Sequence, residues 1–216
     1  MLAPGEIPKE YREWNRRFGA PFGFRRQRLP IPRYRSLSQR FPRIEGPFGI
    51  QPNNTTRAYE YPWAWNAARV TSGTTAVDLG GSLAGFQFAL SRSGVRVINV
   101  DPGERATGLG WNVDHRSIAR LNRAFRTSVE LVNTTLDEAA LPDCSIDTVY
   151  SISTIEHIPM TELPALMREI ERILRPGGSC VLSVDLFLNL KPFSDRESNE
   201  FGVNVPPRLL VDASGL

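Results

Sequence analysis

From Thr75 onward, short apolar segments alternate with longer segments in which apolar residues recur every third or fourth position. The short segments have the length and β-branched content of buried strands, and the longer ones have the spacing of helices with one apolar face. The predicted strands are 75–79, 95–100, 129–133, 146–153 and 179–188, and the predicted helices are 84–93, 115–126 and a segment that Thr161 caps. This alternation is typical of a parallel sheet covered by helices, so we expect an α/β fold.

The first 65 residues have a different pattern, with neither helical nor alternating periodicity over most of their length. They contain 12 of the 20 aromatic residues and nine of the 17 prolines, and residues 1–69 hold 13 Lys and Arg against five Asp and Glu. Because aromatic side chains bury large areas, we expect this part to pack on a surface. We therefore divide the chain into an irregular basic extension or cap, 1–61, and a folded domain, 62–216. We expect a helix from Pro62, with the proline in its first turn, and the segment 57–65 is a candidate cover for a ligand pocket.

Length and composition exclude several classes. With 216 residues, 41% of them hydrophobic, the chain can bury one sizeable core. No apolar stretch reaches the roughly 20 residues that a membrane span needs, and no signal peptide is evident, so we expect a cytoplasmic protein with no membrane partner. Cys144 and Cys180 are predicted to be buried free thiols. The basic extension makes an RNA-associated enzyme an alternative that we do not favour.

The most informative segment is the glycine-rich stretch VDLGGSLAG at 77–85, directly after a predicted strand and directly before a helix. Glycines in such a turn let a ligand approach the main chain, and unpaired N–H groups at the helix start face that ligand. Asp101, at the end of the next strand, is suited to accept hydrogen bonds from ribose hydroxyls. Asp78 places a carboxylate before the turn, which disfavours a pyrophosphate but suits the ammonium of an amino acid group such as that of S-adenosylmethionine.

Four segments together resemble the class I S-adenosylmethionine-dependent methyltransferases: 77–85, 97–103, 141–158 and 174–184. The resemblance implies a doubly wound, mostly parallel Rossmann-like sheet that binds S-adenosyl-L-methionine at the carboxyl ends of its first strands. The cofactor-binding residues that it implies are Asp78, Gly80, Gly81, Ser82, Gly85, Asp101, Thr134, Thr135 and Ser153. The glycine motif differs from the common D-x-G-x-G-x-G pattern, since Ser82 replaces the second glycine and the third comes one residue late, at Gly85.

Glu156 and His157 are the candidate catalytic residues, near the expected position of the methyl acceptor. Metal-assisted relatives have the pattern Glu-x-x-Glu-His, and Ser153 replaces its first carboxylate, so we expect no metal. His157 is a candidate base for an acceptor hydroxyl, and a purely structural histidine is the alternative.

The chain stops where relatives of this family add a sixth and a seventh strand, so we expect these edge strands to be missing and the sequence to be a fragment. The resemblance implies a methyltransferase that acts on a small-molecule or glycan-type acceptor by in-line displacement. A noncatalytic binding or scaffold protein with the same fold is the alternative, because of the altered glycine motif and the missing edge.

Overall fold

The computed structural model describes residues 6–24, 42–103 and 113–214, and it contains one five-stranded sheet. The strands are β1 Thr75–Leu79, β2 Arg96–Val100, β3 Glu130–Val132, β4 Ile146–Ile152 and β5 Leu174–Ser183. Their order in the sheet is β3-β2-β1-β4-β5, and the pairs β1·β4 and β4·β5 are parallel. The strand order reverses direction between β1 and β4, the kind of switch point where open α/β sheets bind ligands. The predicted doubly wound α/β class is confirmed.

Seven helices and one small hairpin complete the described residues. The helices are α1 Lys9–Phe18, α2 Pro42–Glu45, α3 Arg57–Ala67, α4 Gly85–Arg92, α5 His115–Phe125, α6 Leu163–Ile173 and α7 Pro207–Ser214. Short 3-10 helices span Pro47–Gly49 and Ile155–His157, and β6 Ser198–Asn199 pairs antiparallel with β7 Gly202–Val203. No helix within the described ranges is both long and apolar enough to cross a membrane.

The described residues form two compact units. The first contains those of Met1–Thr74, Leu83–Val97 and Asp114–Glu130, and the second contains those of Thr75–Ser82, Ile98–Val113 and Leu131–Leu216. Residues 25–41 of the predicted extension, with six of its twelve Lys and Arg, lie outside the described part of the chain.

An aromatic cluster forms the centre of the first unit. Trp14 of α1 lies 4.7 Å from Phe18, 5.8 Å from Phe48 and 6.3 Å from Phe86, measured between ring centroids. Tyr61 of α3 stacks on Phe86 of α4 at 5.5 Å. The aromatic residues near the N-terminus therefore have partners in α3 and α4, as the composition predicts for a segment that packs.

Pro62 lies in the interior of α3, so the expectation that it stands in the first turn is wrong. Proline lacks an N–H group, so the carbonyl of Ala58, four residues earlier, loses its intrahelical donor. The side-chain amide of Asn15 donates to this carbonyl at 2.7 Å. The extra turn before Pro62 is thus stabilised by a partner from α1, which local sequence spacing does not reveal.

The core of the second unit lies between the sheet and α6. Met167, Ile170 and Ile173 of α6 cluster with Val77 of β1 and Val149 of β4, all at most 2% exposed. The apolar stripe of this helix is core, as predicted. The predicted cap is wrong: the residue before the helix is Glu162 rather than Thr161, and its side chain makes no capping hydrogen bond.

Strand β5 begins and ends earlier than predicted. It starts at Leu174, directly after α6, and its last residue, Ser183, pairs with Ile152. The chain leaves the sheet after this point, and the backbone N–H of Asp185 donates to the Glu156 carboxylate at 3.0 Å. Gly177 and Gly178, just before Ser179, are included in β5. The pairing of β5 with β4 is irregular at this point, between Ile146 and Thr148 of β4.

The two cysteines lie in different environments. Cys144 is exposed and has a φ of 48°, so the expectation that it is buried is wrong. Its backbone N–H donates to the carbonyl of Arg172 at 3.0 Å, which fixes the turn before β4 and leaves the thiol outside. Cys180, on β5, is partly buried, and burial raises the pKa of its thiol to about 12.

Candidate functional site

The predicted site residues of the second unit lie at the carboxyl ends of β1, β2 and β4. Asp78 is the fourth residue of β1, the turn Gly80–Ser82 follows that strand, and Asp101 follows β2 directly. Because β1 lies between β2 and β4 in the sheet, their carboxyl ends are neighbours at one edge.

Gly80 begins the turn in a conformation that favours glycine. Its φ is +69°, and its N–H donates to the carbonyl of Val100 at 2.9 Å. A Cβ at this position would lie 2.2 Å from the Cγ2 methyl of Thr154. Glycine is therefore required here both by the backbone conformation and by the close approach of the segment after β4.

Because Gly81 has no side chain, the side chains of Asp78 and Asn99 can lie close to the turn. A Cβ here would lie 2.7 Å from Oδ2 of Asp78 and 3.0 Å from Oδ1 of Asn99. Any side chain at residue 81 would displace these oxygens from their present positions.

Ser82 has a φ of 43°, in the left-handed region that a side chain disfavours. Its N–H donates to Oδ2 of Asp101 at 2.9 Å, and its carbonyl accepts a hydrogen bond from Nδ2 of Asn99 at 2.9 Å. The N–H groups of Gly80 and Ser82 are thus bonded within the protein, which differs from the expectation that the amides of this turn face a ligand.

Asp101 is the acceptor on which the turn depends. It is 7% exposed, and its second oxygen, Oδ1, accepts the N–H of Gly103 at 2.7 Å. Burial raises the pKa of Asp101, and the hydrogen bonds from Gly103 and Ser82 offset part of that rise. Asn133 donates to the backbone carbonyl of Asp101 at 2.7 Å, which fixes the residue from its other side.

Sequence reasoning missed Asn99, which is fully buried at the fourth position of β2. A polar side chain within an otherwise apolar strand is the signal that would have identified it, because buried amides need partners.

Asp78 lies beside a tyrosine in the middle of the sheet. It is a register partner of Tyr150 on β4, and the two residues are 3% and 1% exposed. Burial, together with the negative charge of Asp78, raises the pKa of Tyr150. A buried carboxylate at this strand end favours a cationic ligand group next to it.

Gly85 belongs to the first unit, where packing accounts for the glycine. A Cβ at this position would lie 2.7 Å from Cγ of the Phe48 ring and 2.8 Å from the Phe48 backbone nitrogen. Its predicted contact with a cofactor stays a prediction.

Thr134 and Thr135, which the resemblance implies as cofactor-binding residues, follow β3, and their role stays a prediction. Thr134 is half-buried, and its hydroxyl donates to the Glu138 carboxylate. Thr135 is exposed, and its carbonyl accepts the N–H of Ala139 at 3.0 Å. The two threonines form a polar turn whose hydroxyls differ in exposure.

Ser153 lies where β4 ends, again with a positive φ of 48°. Its N–H donates to the carbonyl of Ser183 at 2.9 Å, and its hydroxyl donates to Oδ1 of Asp185 at 3.4 Å. Two residues earlier, the fully buried Ser151 hydroxyl has no hydrogen-bond partner among the described residues. The end of β4 therefore carries several hydroxyl groups, and the contact of Ser153 with a cofactor stays a prediction.

Glu156 and His157 are adjacent in sequence but lie in different environments. Glu156 is 1% exposed, and its Oε1 accepts the N–H of Asp185. His157 is exposed, and its backbone N–H donates to the carbonyl of Thr154 at 3.0 Å. His157 therefore lies at the surface, whereas the buried carboxylate of Glu156 binds the chain that follows β5.

A pocket of about 600 Å³ lies at the start of α5 in the first unit. Its lining residues are Asp114, His115, Arg116, Ser117 and Arg120. Asp114 caps the helix by accepting the N–H of Ser117 at 2.8 Å, and this bond lowers the pKa of the Asp114 carboxyl. No predicted site residue lines this pocket, so we assign the chemistry to the strand ends.

Comparison with known proteins supports the resemblance to methyltransferases. Residues 77–182 match a family model described as a methyltransferase domain. An uncharacterized methyltransferase of Mycobacterium sp. (strain JLS) is 32% identical over 135 residues, which cover 62% of this chain and 47% of that protein. A probable S-adenosylmethionine-dependent methyltransferase of Mycolicibacterium smegmatis is 32% identical over 101 residues, 47% of this chain and 37% of that protein. This chain thus spans about half the length of the first of these relatives.

The crystal structure of the (4+2)-cyclase SpnF has a TM-score of 0.56 and 16% sequence identity. The similarity covers 83% of this chain and 66% of that one, and it supports the fold alone. The match of residues 77–182 to the methyltransferase family model, together with the curated relatives, supports membership of the class I S-adenosylmethionine-dependent methyltransferase superfamily.

Proposed function

We propose that this chain transfers a methyl group from S-adenosyl-L-methionine to a small-molecule or glycan-type acceptor by in-line displacement. The observation that carries the proposal is the turn Gly80–Ser82, held by Asp101 and Asn99 beside the buried carboxylate of Asp78. A left-handed glycine turn and two carboxylates at adjacent strand ends are the groups that this cofactor needs.

The residues present fit the cofactor chemically. An ionised carboxylate accepts about four hydrogen bonds, and Asp101 accepts two from backbone N–H groups. Its remaining lone pairs are suited to ribose hydroxyls. Asp78 supplies a negative charge of the kind that an ammonium or sulfonium group requires.

When bound, the cofactor supplies a methyl group on a positively charged sulfur. The protein's contribution is to bind and orient the reactants and to exclude water, which contributes about 7 to 11 kcal/mol in well-oriented reactions. We assign the ammonium to Asp78, the ribose hydroxyls to Asp101, and the adenine to the turn at Thr134 and Thr135. Gly80, Gly81 and Ser82 would lie along the methionine part of the cofactor, and Ser153 would contribute to the pocket floor.

His157 is the proposed base for an acceptor hydroxyl. An imidazole titrates near neutral pH, so it can take a proton that a hydroxyl loses as the new bond to carbon forms. Its exposure on the 3-10 helix Ile155–His157 supports this role. Glu156 is buried against Asp185, so we assign it a structural task beside the base.

A polar acceptor is favoured by the groups around the end of β4. The hydroxyl of Ser153, the carboxylate of Asp185 and the imidazole of His157 all belong to this part of the second unit. Such groups form hydrogen bonds with the hydroxyls of a sugar or of a polar small molecule.

Isothermal titration calorimetry with S-adenosylmethionine and with its demethylated product, S-adenosylhomocysteine, tests the cofactor assignment. We expect saturable binding that Asp101→Ala weakens at least tenfold. The matched control is Asp137→Ala, which removes an exposed carboxylate. If the unmodified protein binds neither compound, the proposal fails and the noncatalytic scaffold is favoured.

The acceptor assignment requires a second measurement, with radiolabelled S-adenosylmethionine and polar extracts or purified glycans as acceptors. We expect transfer that is lost in His157→Ala while the affinity for S-adenosylhomocysteine is unchanged. Label in RNA instead of a small molecule or glycan would refute the proposed acceptor class.

A further inference from the structure

Ser82 occupies a conformation that costs free energy for any residue with a side chain. Its φ of 43° lies in the left-handed region, whereas Gly80, two residues earlier, has a similar conformation without that cost. The turn therefore needs an external constraint at Ser82 to keep its shape.

Two buried side chains hold Ser82 from both sides. Asp101 accepts the Ser82 N–H at 2.9 Å, and Nδ2 of Asn99 donates to the Ser82 carbonyl at 2.9 Å. The exposed fractions are 4% for Ser82, 0% for Asn99 and 7% for Asp101, so water does not compete well for these bonds. We call Asn99, Ser82 and Asp101 the serine clamp.

Asn99 holds Ser82 from strand β2 rather than from within the turn. It lies between the buried residues Ile98 and Val100 of β2, so its backbone position is fixed by the sheet. Its Oδ1 lies 3.0 Å from the point where a Cβ of Gly81 would be. The same amide therefore bonds to Ser82 and lies close to Gly81.

We propose that Asn99 is a positioning residue that sets cofactor affinity by holding Ser82 in its left-handed conformation before the cofactor binds. Asn99 touches the turn and acts through it, which is preorganisation of a binding site. In this chain a clamp by a neighbouring strand replaces the conformational freedom of the glycine that the common motif has at residue 82. The inference rests on the proposed function, because the affinity in question is that for S-adenosylmethionine and its product.

A double-mutant cycle between Asn99→Ala and Ser82→Gly tests this proposal, with the affinity for S-adenosylhomocysteine as the readout. We expect Asn99→Ala to weaken binding at least tenfold in the unmodified background. In the Ser82→Gly background the same change should weaken binding no more than threefold, because glycine adopts the left-handed conformation without strain. Equal losses in the two backgrounds would overturn the proposal.

The matched control is Asn122→Ala. Asn122 also binds backbone, donating to the carbonyl of Val129 at 2.8 Å and accepting the Val129 N–H at 3.0 Å, in the first unit. Its loss should lower the midpoint of thermal unfolding and leave the affinity for S-adenosylhomocysteine within twofold. Should Asn99→Ala fail to fold, Asn99→Ser replaces it in the cycle.

Hydrogen exchange in the cofactor-free protein separates this inference from the proposed function. We expect Asn99→Ala to accelerate exchange of the Ser82 amide at least tenfold, since release of the carbonyl lets the turn open and frees the N–H from Asp101. Asn122→Ala should not change that rate. If Asn99→Ala accelerates exchange but the unmodified protein does not bind S-adenosylhomocysteine, the proposed function is contradicted and the structural role of the serine clamp stands. If Asn99→Ala changes neither the exchange rate nor the affinity, the inference alone is refuted.

Discussion

The side-chain amide of Asn15 donates a hydrogen bond of 2.7 Å to the carbonyl of Ala58, the group that Pro62 leaves without a helical donor. The bond joins α1 to α3 within the first unit, at a residue that is 8% exposed. The bond supplies the donor that Pro62 lacks, so this contact is part of what stabilises a helix around Pro62.

We expect Asn15→Ala to lower the free energy of unfolding by about 0.5 to 1.5 kcal/mol, because the half-buried carbonyl of Ala58 then loses its donor. Urea denaturation followed by tryptophan fluorescence measures this change. In the Pro62→Ala background the loss should be smaller, since an N–H at residue 62 can donate to Ala58. Equal losses in both backgrounds would show that Asn15 acts through other contacts.

Gly85→Ala should destabilise the first unit by about 1 to 3 kcal/mol through overpacking. The added methyl would lie 2.7 Å from the Phe48 ring, and Phe48 is part of the aromatic cluster. Near-ultraviolet circular dichroism should report the disturbance without any ligand. Gly81→Ala is the comparison, because its methyl meets Asp78 and Asn99 instead of a ring. An intact aromatic signal in Gly85→Ala, with loss of S-adenosylhomocysteine binding, would favour direct cofactor contact.

The raised pKa of Asp101 predicts two opposite effects of pH. The folded protein retains a proton on Asp101 in a window above the ordinary carboxyl pKa, where the unfolded chain has lost it. The contribution of this residue to stability is therefore present at low pH and is lost as the pH rises through that window. Affinity for S-adenosylhomocysteine should change in the reverse direction, falling as the pH is lowered through the raised pKa.

Calorimetry at successive pH values tests the affinity part of this prediction. Asp101→Asn should remove most of the pH dependence, and Asp137→Asn should keep it. If Asp101→Asn retains the full pH dependence, another group such as Asp78 is responsible.

The two thiols should react at different rates. Cys144 is exposed, whereas burial raises the pKa of Cys180 to about 12, so little of its reactive thiolate is present at neutral pH. Alkylation of the native protein followed by mass spectrometry should give one modified cysteine, and unfolding should expose the second. Cys144→Ser should lose the fast reaction; if it does not, Cys180 is more accessible than its place on β5 indicates.

Periodicity and turn chemistry predicted the elements whose stability is local. Strand β1 was predicted at its observed bounds, and the stripe of α6 was identified as core, because both patterns repeat within a few residues. The start of α3 was not predictable in this way, since it depends on Asn15, more than forty residues away. Asn99 was missed for a similar reason: it lies on β2 and contacts Ser82 in the turn after β1, a residue 17 positions away in sequence. The glycines of the motif were identified correctly as special positions, but sequence does not distinguish Gly80, beside Thr154, from Gly85, beside Phe48.

The bond from the Asp185 N–H to Glu156 lies where pairing with β4 ends and side-chain contacts hold the main chain instead. From Ser179 to Ser183 each residue of β5 pairs with a residue of β4. The segment that follows is held by side chains at two points: Glu156 accepts the N–H of Asp185, and Asn204 binds both backbone groups of Phe187. Insertions or deletions between these two anchor points change the wall that follows the sheet without altering its register. Such changes alter the surface beside Glu156 while the strand ends that hold Asp78 and Asp101 stay as they are.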